Sequence, residues 1–83
     1  MTKRDIETSL INIISEIVPD EDLSNLDGDA RIRDQIELDS MDFLDIIMEL
    51  RKRYKVEIPE EDYPRLATMN GCIEYLEPIL VGR

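Results

Sequence analysis

The chain has 83 residues and a formal charge of −10, from 20 acidic and 10 basic side chains. A charge of that sign disfavours nucleic-acid phosphates and anionic membrane faces and favours basic partners. With no histidine and a single cysteine, Ser-His-Asp and Cys-His catalysis, His-based zinc sites and an internal disulfide are all excluded.

A chain of this length is expected to form one domain spanning residues 1–83 and to bury about 60–65% of its unfolded surface, so every apolar stripe counts. A hydrophobic content of 42% argues for order. The only aromatic residues are Phe43, Tyr54, Tyr63 and Tyr75, so aliphatic side chains must fill most of the core. No run of about 18 apolar residues offers a membrane span. No apolar signal-peptide region follows Met1-Thr2-Lys3-Arg4-Asp5. A cytosolic, monomeric protein is the expectation.

Thr2 with Asp5 three residues on reads as a helix cap. Ile6, Leu10, Ile13, Ile14 and Ile17 then recur on one face, which predicts a helix over residues 3–18 stopped by Pro19. Residues 19–38 read as a long connection. With Asp39 included it holds eight acids against Arg31 and Arg33, a net −6. Asp27-Gly28-Asp29 marks a turn, and Leu23, Leu26, Ile32, Ile36 and Leu38 are the residues expected to pin the loop to the core. A calcium loop does not fit, because Gly28 at the sixth position would place Leu23 at the first. A solvated acidic loop is the better reading.

Asp39 caps a second helix, and Asp42 sits where a carboxylate complements the helix dipole. Ser40 follows the cap directly. On local pattern alone it is an ordinary first-turn serine, but it is also placed where an attached anion would meet free backbone N–H groups. Ile46, Ile47, Leu50 and Tyr54 are expected to face the core. Met41, Leu44 and Met48 fall on a neighbouring face, as a partner surface or as the second buried side of a central helix; the sequence leaves both open. Arg51, Lys52, Arg53 and Lys55 suit a helix C-terminus, with a Glu49–Arg53 pair at i+4, and could also orient a partner.

Val56-Glu57-Ile58-Pro59 reads as extended. Glu60-Glu61-Asp62 opens a short helical turn in which Pro64 is tolerable only near the start. Thr68 caps a last helix with Met69, Cys72, Ile73 and Leu76 on its inner stripe, so Cys72 reads as a core residue rather than a reactive thiol. Pro78 is expected to end that helix at or before Glu77, leaving Ile79, Leu80 and Val81 as a packed tail. The fold class is all-α: a small four-helix bundle with three longer helices, one short helix and a long first loop.

These residues resemble the acyl carrier protein family over roughly residues 4–77. The resemblance is carried by Ile32-Arg33-Asp34-Gln35-Ile36-Glu37-Leu38-Asp39-Ser40-Met41, then Leu44, Ile47, Leu50, Tyr54 and Val56-Glu57-Ile58-Pro59, and by Thr68 through Leu76 at the last helix. It implies that Ser40 carries a covalent 4′-phosphopantetheine added by a separate phosphopantetheinyl transferase. It also implies that Asp39 caps the helix and helps that enzyme place its magnesium, and that the chain itself is not an enzyme and holds no metal. Met41, Leu44 and Met48 match positions flanking the arm, and Asp42 and Asp45 match acidic recognition positions. Ile32, Ile46, Ile47, Leu50, Ile58 and Ile73 match core positions that can line an acyl-chain pocket. The implied function is to hold acyl groups as thioesters and deliver them to acyl-loading and acyl-transferring enzymes of fatty acid, lipid or secondary-metabolite biosynthesis. A D-alanyl or aminoacyl/peptidyl carrier, or an unmodified acidic interaction module, is the alternative.

Three positions depart from the family pattern. Glu37 stands where glycine is common, which would be strained if φ were positive there. Phe43 is bulky where the family is often small or polar. Arg51, Lys52 and Arg53 replace acids of typical fatty-acid carriers, which points to a specialised set of partners contacted through Arg51 and Lys52.

Overall fold

The computed structural model describes residues 2–80 of the protein. Four α-helices and one 3-10 segment follow one another: α1 (Lys3–Ile17), α2 (Ile32–Gln35), α3 (Ser40–Tyr54), the 3-10 segment (Glu60–Leu66) and α4 (Met69–Leu80). Among the described residues there is no strand; an isolated bridge joins Arg31 to Thr68. No helix is long and apolar enough to cross a membrane. The all-α bundle expected from periodicity is the observed architecture.

Helix α1 begins with a complete capping box: Thr2 Oγ1 accepts the Asp5 N–H at 3.2 Å and the Asp5 carboxylate accepts the Thr2 N–H at 3.1 Å. Thr2 holds the Asp5 carboxyl below its ordinary pKa, its backbone N–H being the larger cause and its hydroxyl the smaller. Ile6, Leu10, Ile13 and Ile14 are buried, as the stripe requires. They join a core that also takes Ile46, Ile47 and Leu50 from α3 and Met69, Cys72, Ile73, Tyr75, Leu76 and Leu80 from α4. Helix α1 packs on both α3 and α4, and α4 also packs on the 3-10 segment. Tyr75 is the one aromatic buried with the aliphatic side chains, and no buried described residue is polar or charged.

Between α1 and α3 the chain is more ordered than a solvated loop. One helical turn, α2, interrupts it. No side chain caps that turn; a tertiary bond from the Ile32 N–H to the Ala67 carbonyl at 3.0 Å anchors it. Periodicity could not reveal it, because four residues hold only one buried position, Ile32. Gln35 stitches the loop: its Oε1 accepts the Asp27 N–H at 2.6 Å, and its Nε2 donates to the carbonyls of Asp27, Ala30 and Arg31. Asn70 on α4 ties down the same loop by donating to Asp29 Oδ1 at 2.7 Å and, through its backbone, to the Gly28 carbonyl at 3.0 Å. Ile32, Ile36 and Leu38 are buried and Leu23 and Leu26 pack against the core, so all five expected pins hold.

Val56 and Ile58 are buried and Glu57 is exposed, the alternation of an extended stretch. Pro64 lies fifth in the 3-10 segment, not near its start. The segment tolerates it because it is held from outside: Leu66 is buried and Asp62 accepts the Tyr75 O–H at 2.8 Å. At the head of α4, Thr68 Oγ1 accepts the Gly71 N–H at 2.9 Å. A Cβ on Gly71 would sit 2.3 Å from the Arg65 carbonyl oxygen, so only glycine allows α4 to approach the 3-10 segment this closely.

Two expected helix ends are corrected. Helix α1 stops at Ile17, with Val18 as its C-cap. Helix α4 runs through Pro78 to Leu80. The proline lacks the N–H that would bond the Glu74 carbonyl, but Glu74 is exposed and water can serve that carbonyl, while burial of Leu80 holds the last turn on the core. Val81, the end of the expected tail, lies outside the described residues.

Cys72 is buried at 3% exposure and its thiol donates to the Leu66 carbonyl at 3.1 Å. Burial pushes it from 9.0 up to about 12. Above pH 9 the unfolded chain loses this proton while the folded chain keeps it, so the unfolded state binds fewer protons and rising pH favours unfolding. Stability is expected to fall by about 1.4 kcal/mol per pH unit between those two values from this group. Urea midpoints at pH 9 and pH 11 should show that component in the wild type and not in Cys72→Ala; equal slopes would reject it.

Candidate functional site

The start of α3 is built by its own residues. Asp39, extended at φ −87° and ψ 178°, accepts the Asp42 N–H on Oδ1 at 2.8 Å. Asp42 returns the bond by accepting the Asp39 N–H on Oδ2 at 3.3 Å. The Phe43 N–H closes the first turn on the Asp39 carbonyl at 3.0 Å. Two of the four orphan donors of the helix start are thereby used, and among the described residues no acceptor engages the N–H groups of Ser40 and Met41. Ser40 is the first helical residue, exposed, and no described residue hydrogen-bonds its hydroxyl. A hydroxyl and two backbone N–H groups therefore face solvent at the positive end of a fifteen-residue helix. That arrangement suits an attached phosphodiester.

The chain leading into this turn adapts to Glu37. Among non-glycine described residues only Lys55 has a positive φ, so Glu37 is unstrained. Its N–H donates to Glu21 Oε1 at 2.9 Å, which fastens the approach to Ser40 to the far side of the acidic loop. In front of the turn lies a shallow depression of about 800 Å³ that includes five carboxylate residues, Glu21, Asp34, Glu37, Asp39 and Asp42.

Below the turn, α3 presents an apolar strip. Met41 is 74% exposed, Leu44 44% and Met48 64%, while Ile46, Ile47 and Leu50 are buried and Tyr54 packs against the core. The helix is thus buried on one side, and the other apolar face is open. Asp45 is exposed beside this strip, and Arg51 and Lys52 are exposed at its lower end, about 17 Å along the axis from Ser40. With Lys55 and Val56 they border a surface groove of about 530 Å³ that also reaches Met48.

Arg53 differs from its neighbours. It donates to Glu49 at 2.9 Å and makes an ion pair with Glu16 on α1, and both raise its pKa, Glu16 more than Glu49. Tyr54 adds a second α1–α3 tie by donating to Ser9 Oγ at 2.6 Å. Sequence reasoning placed Arg53 with Glu49 and missed Glu16, because no local rule relates residues so far apart in the chain.

The core positions matched to an acyl-chain pocket are all buried, but they enclose little space. The cavity among Ile32, Phe43, Ile46, Ile47, Leu50 and Leu66 is about 10 Å³, barely enough for one water. Phe43 is its outer wall, set edge-on against Tyr63 with ring centroids 6.1 Å apart and planes at 77°. No cluster of side chains among the described residues could hold a metal ion.

Comparison with known proteins agrees with this geometry. A family profile described as a phosphopantetheine attachment site matches residues 8–76. An acyl carrier protein of Brachyspira hyodysenteriae is 33% identical over 73 residues, covering 83% of this chain and 94% of its own. Acyl carrier proteins of Lactobacillus johnsonii (29% identical, covering 93% of this chain and 95% of its own) and Rubrobacter xylanophilus (31%, covering 81% and 86%) are similar over comparable spans. A capped helix opening on an exposed serine, the matched profile and the shared length together place the chain in the acyl carrier protein family, whose prosthetic group is a covalent 4′-phosphopantetheine.

Proposed function

We propose that Ser40 is the attachment point of the 4′-phosphopantetheine arm, and that the protein carries acyl groups for a specialised set of enzymes rather than for a housekeeping fatty-acid synthase. The single observation behind the first part is the exposed Ser40 hydroxyl at the doubly capped start of α3, beside two unengaged N–H groups. Those N–H groups and the helix dipole would hold the phosphodiester. The arm supplies the thiol on which an acyl group rides as a thioester. No described residue hydrogen-bonds the Ser40 hydroxyl to activate it, so a phosphopantetheinyl transferase would supply the chemistry, with Asp39 as the residue expected to help that enzyme place magnesium. The chain then acts as a carrier, and the acyl-loading and acyl-transferring enzymes do the catalysis.

The second part rests on α3. Asp42 and Asp45 put negative charge near Ser40, and the exposed Met41, Leu44 and Met48 offer apolar contact. Arg51 and Lys52 then reverse the charge on the same helix. A partner that fits this face carries positive charge near its own active-site entrance and negative charge further down.

Incubation with coenzyme A, magnesium and a broad-specificity phosphopantetheinyl transferase, followed by intact-mass measurement, tests the attachment. The wild type is expected to gain one phosphopantetheine and Ser40→Ala none. An unchanged wild-type mass, or an adduct that survives in Ser40→Ala, would overturn the assignment.

A further inference from the structure

A second concavity lies beside the first turn of α3, between α2 and the 3-10 segment. Its volume is about 360 Å³, and Phe43, Tyr63, Pro64 and Leu38 give it an apolar lining with Arg31 and Arg33 at the rim. We propose that this groove receives the far end of a thioester-bound acyl group that bears a terminal carboxylate. Arg31 and Arg33 would hold the carboxylate, and Phe43, Tyr63 and Pro64 would pack on the methylene body. The inference rests on the reading of Ser40 as the attachment point.

Three observations carry it. The first is continuity: Arg33 and Leu38 line both this groove and the depression at Asp39 and Asp42, the residues of the capping box that flank Ser40, so the two concavities adjoin beside the turn that carries the serine. The second is that the neighbouring alternative is closed. Ile32 and Phe43 line both the groove and the core cavity of about 10 Å³, so Phe43 is the partition between them. Cargo entering the core would have to break the Phe43–Tyr63 contact and displace close-packed side chains, whereas the outer groove is already open.

The third is charge. Residues 19–39 carry a net −6, yet no acidic side chain lines the groove, while five line the depression next to it. Arg31 and Arg33 are exposed, and neither makes an ion pair among the described residues. Their backbone is pinned: Arg31 bridges to Thr68, its carbonyl accepts from Gln35, and the Ile32 N–H bonds to Ala67. Two guanidinium groups thus project from a fixed turn without an ion pair among the described residues, Arg31 away from the acidic depression and Arg33 at the border it shares with the groove. Guanidinium matches a carboxylate in a planar, two-bond geometry. An exposed pair of this kind is weak for a free ligand, but tethering through Ser40 makes the encounter intramolecular.

The test loads the protein from octanoyl-coenzyme A and from octanedioyl-coenzyme A, using a broad-specificity transferase and confirming each adduct by intact mass. Side-chain and amide NMR shifts are then compared with those of the unacylated arm-bearing protein. Octanedioyl cargo is expected to shift Phe43, Tyr63 and the Arg31 and Arg33 Nε resonances, and octanoyl cargo is expected to leave the two Nε resonances in place. Arg31→Gln with Arg33→Gln should load normally and lose the difference between the cargoes. Equal shifts from both cargoes, shifts confined to Ile46, Ile47 and Leu50, or no shift in loaded protein would overturn the groove assignment. Failure of both cargoes to load would instead overturn the attachment at Ser40, and this proposal with it.

Discussion

Leu76→Ala is expected to lower the unfolding free energy by about 3–4 kcal/mol. Leu76 has no exposed surface and lies on α4, the helix that packs on both α1 and the 3-10 segment. Its loss would remove burial and leave a hole whose walls belong to several elements, so collapse into it is restricted. Typical stability for a chain of this length is about 4–12 kcal/mol. The loss would therefore be a large fraction of the total and would lower Tm by roughly 12 °C or more. Urea denaturation checks it, with Leu44→Ala as the exposed comparison, expected within about 0.5 kcal/mol of wild type. A Leu76→Ala cost below that of Leu44→Ala would contradict the core described above.

The second large effect concerns partners. Replacing Arg51 and Lys52 by Glu is expected to reduce kcat/KM with the protein's own acyl-transferring enzyme about tenfold or more, and to raise it with housekeeping fatty-acid enzymes. Both side chains are exposed and make no ion pair among the described residues, so their charge is available to a partner. Arg53 is left unchanged in this test. It joins α3 to Glu16 of α1, so reversing it would perturb the bundle and confuse stability with recognition. The acids introduced near the helix C-terminus should each cost about 0.3–1 kcal/mol of stability, which denaturation reports separately. The kinetic effect should shrink as salt is added. No gain with housekeeping enzymes would count against specialised partner choice.

Much of this was legible from local pattern. The stripes that predict α1 and α4, the Thr2–Asp5 pair, the Asp39 cap and the Val56/Ile58 alternation depend on residues a few positions apart, where helix and strand geometry alone sets who meets whom. The loop was harder. Its five apolar pins could be named because isolated hydrophobics in an acidic stretch have few other uses. The α2 turn and the Gln35 network could not, since they depend on Ala67 and on a loop path that no periodicity encodes. Pro78 misled for a related reason: a proline rule weighs one lost hydrogen bond, and burial of Leu80 outweighed it.

Neighbours in the chain suffice to put a serine at the opening of a capped helix in an acidic, histidine-free bundle, because capping, charge and helical period are local properties. What surrounds that helix start follows instead from long-range packing. That packing left Met41, Leu44 and Met48 open to solvent, since none of the described elements covers that side of α3. It separated Arg53, turned to Glu16, from Arg51 and Lys52. It set Phe43 against Tyr63, closing the core and leaving a groove beneath Arg31 and Arg33. Those outcomes depend on which distant segments come to lie side by side, and packing of the whole chain chooses that.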